Sequence, residues 1–366
     1  MLYSKCGSKM LSSEAEIVRS LVGTLNEVPD SHAHIAMEGH PGEPLYDAQV
    51  EGMISGKPVT LLVEVKQHVY PRDVHQYLYQ RREIAKRFQV HLDSSVLILL
   101  AAHSISPGAR EILREEKSAY YDAGGSLFIS SNGLLVDRQR PAAPSEERVL
   151  RSLFTGTRAR VLLSMLDRPK EWINVTQLSR DAGVSTATAS EVLQAMERND
   201  WVMTEGSGPH KQRRLIRPDD VLDAWAKFVE TRKAPKQHRY YVPHSSLDLT
   251  YKVPQVLEQR QVEYEVTGEA AAQHYAPWLT QVPTLRVRIV YSDRVDDVLG
   301  ELGAKSTSEG ANLSIYEVAS TKDLLHRNRE DGVWYAHPIQ VYLDLLRMEG
   351  RARDAARRLR EERIKF

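Results

Sequence analysis

One cysteine, Cys6, stands among 366 residues. That excludes an internal disulfide and any cage of cysteine thiolates, and it points to a reducing compartment. Long apolar runs are missing too. Hydrophobic residues make up 42% of the chain, yet no uninterrupted run approaches the roughly 18 residues needed to cross a bilayer, so no membrane span is expected. The opening stretch "MLYSKCGSKMLSSEAE" lacks the apolar core of a secretory signal, so a cytoplasmic location is expected. No internal repeat and no long low-complexity tract is visible, which argues against a solenoid. Net charge is absent as well, with 49 basic and 49 acidic side chains.

What is present is length and uneven charge. The chain is too long for one ordinary core, so two or three domains are expected. Residues 1–140 carry 15 basic and 17 acidic side chains, residues 151–217 carry 11 and 7, and residues 347–366 carry 8 and 4. The basic middle segment suits a polyanionic partner. Proline-containing stretches at 138–148, "RQRPAAPSEER", and 231–246, "TRKAPKQHRYYVPHSS", read as joints. The expected domains are therefore 1–140, 146–235 and 236–366.

In the first segment a helix from about Ser12 to Asn26 precedes three strands, "HAHIAMEG", "PLYDAQVEGMI" and "PVTLLVEVK". A helix over 72–88, the buried strand "SSVLILLAA", a helix over 107–117 and short strands "SLFIS" and "GLLVDR" follow. Ser55-Gly56 suits a two-residue hairpin turn, which sets Ile54 opposite Lys57 and Asp47 opposite Glu64. Strand alternation then puts Glu64 and Lys66 on one face. Paired carboxylates can hold Mg²⁺ or Mn²⁺ through oxygens, and a nearby ammonium can stabilise a phosphoryl group or orient water. The segment resembles the PD-(D/E)xK, or restriction-endonuclease-like, superfamily, with its αβββαβ core, over about residues 10–140. The resemblance implies Asp47, Glu64 and Lys66 as catalytic residues and Asp47 and Glu64 as metal ligands. It also implies an accessory carboxylate at Glu14 or Glu16, and Gln76 or Gln80 on the following helix. Glu-x-Lys recurs at Glu115–Lys117 in a helical setting, so the tripeptide alone carries little. Asp122 reads as a turn residue. His32, His34 and His40 read as exposed, because no further ligands complete a zinc set.

The middle segment carries helix-turn-helix grammar. "TRARVLLSML" is a periodic helix, Val175–Ala182 a second, Gly183 supplies the turn, and Ser185 caps a helix running to about Arg198. "WVMTEGSGPHKQRRLIR" reads as two strands with Gly206–His210 at their tip. Residues 155–217 together resemble the winged helix-turn-helix family. Ser185, Thr186, Thr188 and Ser190 open the recognition helix, while Lys211, Arg213 and Arg214 lie on the return strand, all as candidate contacts to double-stranded DNA. Winged helices also serve as protein-binding modules, and the Thr/Ala run also suits helix packing.

The last segment alternates strands and helices: "EYEVTGEAAAQHY", "TLRVRIVY", "NLSIYEVAS", then two amphipathic helices divided at Gly350. Tyr342, Leu343 and Leu346 have core spacing. The arginines at 351, 353, 357, 358 and 360 read either as phosphate ligands or as a solvated face. The blocks "TGEAAA", "WYAHPIQVYLDLL" and "RARDAARRLR", in that order, resemble the C-terminal domain of AbiEi-type antitoxins of type IV toxin-antitoxin systems. That resemblance spans most of residues 155–366 and implies a transcriptional repressor of its own operon, opposed indirectly to a nucleotidyltransferase-like toxin. The chain departs from shorter members by its N-terminal domain.

The sequence therefore leads to a multidomain α/β protein in which a nuclease-like domain, a winged helix and a C-terminal α/β domain follow one another. The first expectation is a bacterial DNA-binding regulator that needs no cofactor, homodimerisation through its flanking domains being compatible with that. The alternative is a nuclease dependent on Mg²⁺ or Mn²⁺.

Overall fold

The computed structural model describes residues 4–38, 46–87, 95–131, 133–141, 151–233, 235–243, 246–277 and 282–366. His40 and most of the first expected joint, residues 142–148, lie outside these. The chain forms two compact units, Met1–Ser152 with Gln194–Asp200, and Leu153–Leu193 with Trp201–Phe366.

The first unit is built on one seven-stranded sheet in chain order: β1 (His32–Glu38), β2 (Ala48–Ile54), β3 (Lys57–Val69), β4 (Val96–Ile105), β5 (Ala119–Asp122), β6 (Ser126–Ser131) and β7 (Leu134–Arg138). Hairpins join antiparallel neighbours. The two parallel pairs, β3–β4 and β4–β5, are connected by α2 (Pro71–Arg87) and α3 (Pro107–Glu115). A parallel pair needs such a crossover, because a short turn cannot return the chain to the same end.

Two apolar clusters sandwich this sheet. One joins Ile17, Val18, Leu21 and Leu25 of α1 (Ser4–Asn26) to Leu61, Val63, Val65 and Leu99. The other joins Val74 and Tyr77 of α2 and Leu113 of α3 to Leu62, Ile98 and Leu100. Alternate residues of β3 and β4 therefore serve opposite layers, which is why those strands read as unbroken apolar runs. The strand β5 is the short strand before the Gly124-Gly125 pair, and what sequence reading missed is the setting of Asp122 at its end. That residue is buried at the end of β5, accepts from the Ile105 and Gly124 N–H groups at 2.6 and 2.8 Å, and pairs with Arg110 at 3.0 Å. It ties three elements together as well as shaping a turn.

The chain continues with α4 (Gly156–Asp167), β8 (Ile173–Asn174), α5 (Val175–Asp181), α6 (Thr186–Arg198), β9 (Val202–Glu205) and β10 (Gln212–Leu215), all in the second unit except the end of α6 from Gln194 on, which clusters with the first. The three strands form a small sheet with β10 in the centre. Phe154 stacks against Trp225 and packs tilted against Trp201 and Phe228, so the helix α7 (Pro218–Glu230) shares this core.

A second seven-stranded sheet follows, in the order β14 (Lys305–Ser306), β11 (Gln237–Tyr241), β15 (Leu313–Val318), β13 (Leu285–Val290), β12 (Tyr264–Thr267), β17 (Val333–Tyr335), β16 (Asn328–Glu330). It mixes parallel pairs, β13–β15 and β12–β17, with antiparallel ones. Five helices accompany it: α8 (Ser246–Gln259), α9 (Gly268–Tyr275), α10 (Arg294–Glu301), α11 (Pro338–Leu346) and α12 (Arg351–Leu359). Part of the stretch expected to be a joint, residues 237–241, is the strand β11 with alternating exposure, so the chain enters this sheet earlier than its basic composition suggests.

Polar ties bind α4 to the C-terminal half. Asp167 pairs with His337 at 2.9 Å, Ser164 bonds His326 at 3.0 Å, and Arg160 faces Asp323 at 3.6 Å. Among the described residues no helix is long and apolar enough to cross a membrane.

Candidate functional site

In the first unit Ser55 and Gly56 both have positive φ, the signature of a tight hairpin turn, and Ile54 pairs with Lys57 as the sequence implied. The ladder runs down to Ala48 opposite Val63. Asp47 sits one residue beyond its end, just before β2 and not within it. Its N–H donates to the Val63 carbonyl at 2.7 Å, and its Oδ2 accepts from the Val65 N–H at 2.6 Å. The carboxylate thus takes over the ladder where the strand leaves it. That fixes Asp47 against the backbone between Glu64 and Lys66, which form an ion pair at 2.8 Å. Val63 and Val65 point into the core, whereas Glu64 and Lys66 remain half-buried on the other face.

Glu14 on α1 lies within electrostatic reach of Asp47. Burial first, and the charge of Asp47 second, raise its carboxyl pKa above the usual range. Glu16 and Gln76 are exposed, and Gln80 carries a buried Oε1 without a hydrogen-bond partner. His32 and His34 are exposed along β1. Among the described residues no group of three or more His, Cys, Asp or Glu side chains is arranged to hold a metal ion. The donor set is therefore two carboxylates with an ammonium beside them, which suits a hard cation that keeps most of its waters.

In the second unit Asn174 caps α5 by accepting from the Gln177 N–H at 2.8 Å. Gly183 turns the chain at φ +60, and Ser185 accepts from the Thr188 N–H at 3.1 Å, capping α6 as expected. The core side of α6 is Ala189, Val192, Leu193 and Met196, a helical repeat of three and four. Ser185 and Thr186 are exposed at its start, while Thr188 and Ser190 are half-buried. Ser185 and Thr188 also bond each other through their hydroxyls at 3.0 Å.

The strand β10 departs from expectation. The two-residue strand β8, which sequence reading missed, makes it the central strand, and its alternating burial turns Arg213 and Leu215 to the core. Arg213 is only 4% exposed, so it is a buried, structural arginine and not a surface cation. Arg214, on the opposite face, lies 5.0 Å from the centre of the Trp172 ring, and Lys211 is half-buried at the foot of the tip. Two exposed cations that the sequence did not single out, Lys170 before β8 and Arg180 on α5, form no ion pair among the described residues. Neither stands in a recognisable motif, and only the placement of α5 reveals them.

Two of the blocks quoted from the last segment meet in space. Thr267 donates to Asp344 at 2.6 Å, Glu269 pairs with Arg286 at 2.9 Å, and Gln340 donates to Asp344 at 2.8 Å. The "TGEAAA" block is thereby anchored to "YLDLL". Glu265, buried, pairs with Arg288 on the neighbouring strand. Tyr342 and Leu343 are core residues, with Leu346 half-buried. Of the terminal arginines, 353, 357, 358 and 360 are paired with Glu230, Asp354, Glu362 and Asp223. That favours the solvated, ion-paired reading of this helix.

Residues 214–365 match the family model described as "Transcriptional regulator, AbiEi antitoxin, Type IV TA system". The AbiEi match begins on β10 and takes in α7 and the whole second seven-stranded sheet, starting later than the resemblance drawn from residue 155 onward. Searches of curated proteins and of solved structures give no match.

Proposed function

We propose that this protein is a cytoplasmic DNA-binding transcriptional regulator of the AbiEi antitoxin class, acting alongside a nucleotidyltransferase-like toxin. The observation that carries the reading is the AbiEi match lying in the same compact unit as the capped, exposed start of a helix, which a glycine turn precedes and two strands of a three-stranded sheet follow. In a winged helix the start of the second helix enters the major groove, and the first helix crosses the phosphate backbone. Ser185 and Thr186 are then the base-edge or phosphate contacts. Arg180, Lys170, Lys211 and Arg214 supply charge, and no cofactor is required. Footprinting on the upstream region of its own reading frame is expected to show a protected site that Ser185→Ala/Thr186→Ala abolishes. Absence of protection at any upstream site would refute the proposal.

A second reading concerns the first unit. Asp47 held between Glu64 and Lys66 supports a PD-(D/E)xK-like phosphodiesterase, in which Asp47 and Glu64 would hold Mg²⁺ or Mn²⁺ and Lys66 would face the phosphate. Its test is nicking of supercoiled plasmid with either metal. The expected result is activity in the wild type that Lys66→Ala removes, and nicking that survives this change would belong to a contaminant.

A further inference from the structure

The second unit holds a cavity of about 360 Å³ between the strands β13 and β15 and the helix α11. Three guanidinium groups line it, Arg286, Arg288 and Arg347, together with Tyr316, Gln340 and Asp344. Their ion pairing is uneven. Arg286 is neutralised by Glu269 and Arg288 by Glu265, both acids sitting outside the cavity wall. Asp344 accepts from Thr267 and Gln340 and keeps its charge, Glu317 lies 2.8 Å from His238, and Glu349 is exposed.

Arg347 has no such partner. Among the described residues it makes no ion pair, and its Nε is buried without a hydrogen bond. Burial lowers its pKa, Asp344 opposes this, and the charges of Arg288 and Arg232 push the same way as burial. A partly buried guanidinium with an unused donor, beside two further guanidiniums, is stabilised by an anion that brings its own oxygens.

We infer that this cavity binds a small phosphate monoester, its phosphoryl group held by Arg347 and the adjoining arginines. A guanidinium fork matches phosphate oxygens in pairs, and five N–H donors per arginine leave Arg286 and Arg288 capacity beyond their carboxylate partners. The volume exceeds that of a bare phosphate and falls in the range of small-molecule sites. The remainder of the ligand meets the Tyr316 hydroxyl, the Gln340 amide and the Asp344 carboxylate, groups suited to sugar hydroxyls or a base.

Calorimetric titration of the full chain with AMP, in the absence of DNA, tests it. Saturable binding at one site per chain is expected, competed by orthophosphate and weakened about 10- to 100-fold by Arg347→Gln. Arg347→Lys, which keeps the charge but not the fork, is expected to fall between the two. Wild-type arginine Nε–H resonances give a measurement that survives misfolding of either variant: the Arg347 signal is expected to move on adding orthophosphate. No saturable binding of AMP or orthophosphate at millimolar concentration, equal affinity in Arg347→Gln, or an unmoved resonance would each overturn the inference.

Discussion

Consider Glu265→Ala. The carboxylate of Glu265 is 2% exposed and its partner Arg288 15%, so deleting the acid leaves a guanidinium in the interior with its main acceptor gone. Breaking a buried pair from one side typically costs about 3–5 kcal/mol, whereas replacing both partners with apolar residues of similar size is often neutral or better. For a unit of roughly 150–250 residues each kcal/mol moves the midpoint by about 2–4 °C, so a drop of about 6–20 °C is expected. All five tryptophans, Trp172, Trp201, Trp225, Trp278 and Trp334, fall in the sequence of the second unit, so thermal melts followed by intrinsic fluorescence report it alone. The double variant Glu265→Leu/Arg288→Met is expected to recover most of the loss. A single-variant shift below about 2 °C, or a double variant no better than the single, would refute the claim that an unpaired buried charge controls this region.

The same pair sets a pH dependence. Burial raises the Glu265 pKa from 4.5 to about 7, against the pull of Arg288. Between pH 4.5 and about 7 the folded state therefore keeps a proton that the unfolded chain releases, and above that range the carboxylate is charged and paired with Arg288. This group's contribution is full below pH 4.5 and is lost as pH rises through about 7, on the order of 3 kcal/mol in all. Glu265→Gln should abolish that slope.

Ser185→Ala removes the cap of α6 and should cost about 1 kcal/mol of stability, read as a lower urea midpoint with unchanged slope. An unaltered midpoint would mean the cap is redundant. Arg214→Ala and Arg180→Ala should each reduce the salt slope of duplex binding by about 1, while Arg213→Ala should lower stability instead. The reverse assignment would show that β10 presents its other face. His326, whose pKa burial pushes below 6.5, should contribute stability that is lost as pH falls through 6.5 toward its folded value, a trend opposite to that of Glu265. His326→Gln should flatten the acid limb only, and a parallel change in both limbs would argue against separate origins.

Local chemistry was legible in the sequence where one turn fixes many positions. Ser55-Gly56 determines the register of a whole hairpin, so the approach of Asp47 to Glu64 and Lys66 could be read without any long-range assumption. The cap at Ser185 and the break at Gly350 are legible for the same reason. Arg213 was not, because its burial depends on the two residues of β8, too short to leave a pattern, pairing on the far side of β10. Nor was Asp122, whose partners Ile105 and Arg110 come from elements that only the parallel crossover brings near. The arginines of the cavity look like ordinary strand alternation, "LRVRIV", until Glu265 and Glu269 arrive from β12 and α9 to neutralise two and leave Arg347 over.

Charge counted along the chain overstates charge offered to a ligand. Residues 151–217 carry four more basic than acidic side chains, yet Arg158 is matched by Glu191, Arg168 by Asp181, Arg217 by Asp220, and Arg160 by Asp323 from the C-terminal half. Arg213 is buried. Among the described residues the exposed cations without an acid partner, Lys170 and Arg180, are few and lie on and before α5, while the exposed start of α6 offers hydroxyls. On the proposed DNA-binding reading, a module so arranged would draw little affinity from bulk electrostatics, and discrimination would come from how Ser185 and Thr186 meet base edges. The orientation of α6 then matters more than its net charge. It is set by Ala189, Val192 and Leu193 packing beneath it, and by the polar ties that hold α4 to the AbiEi-matching half.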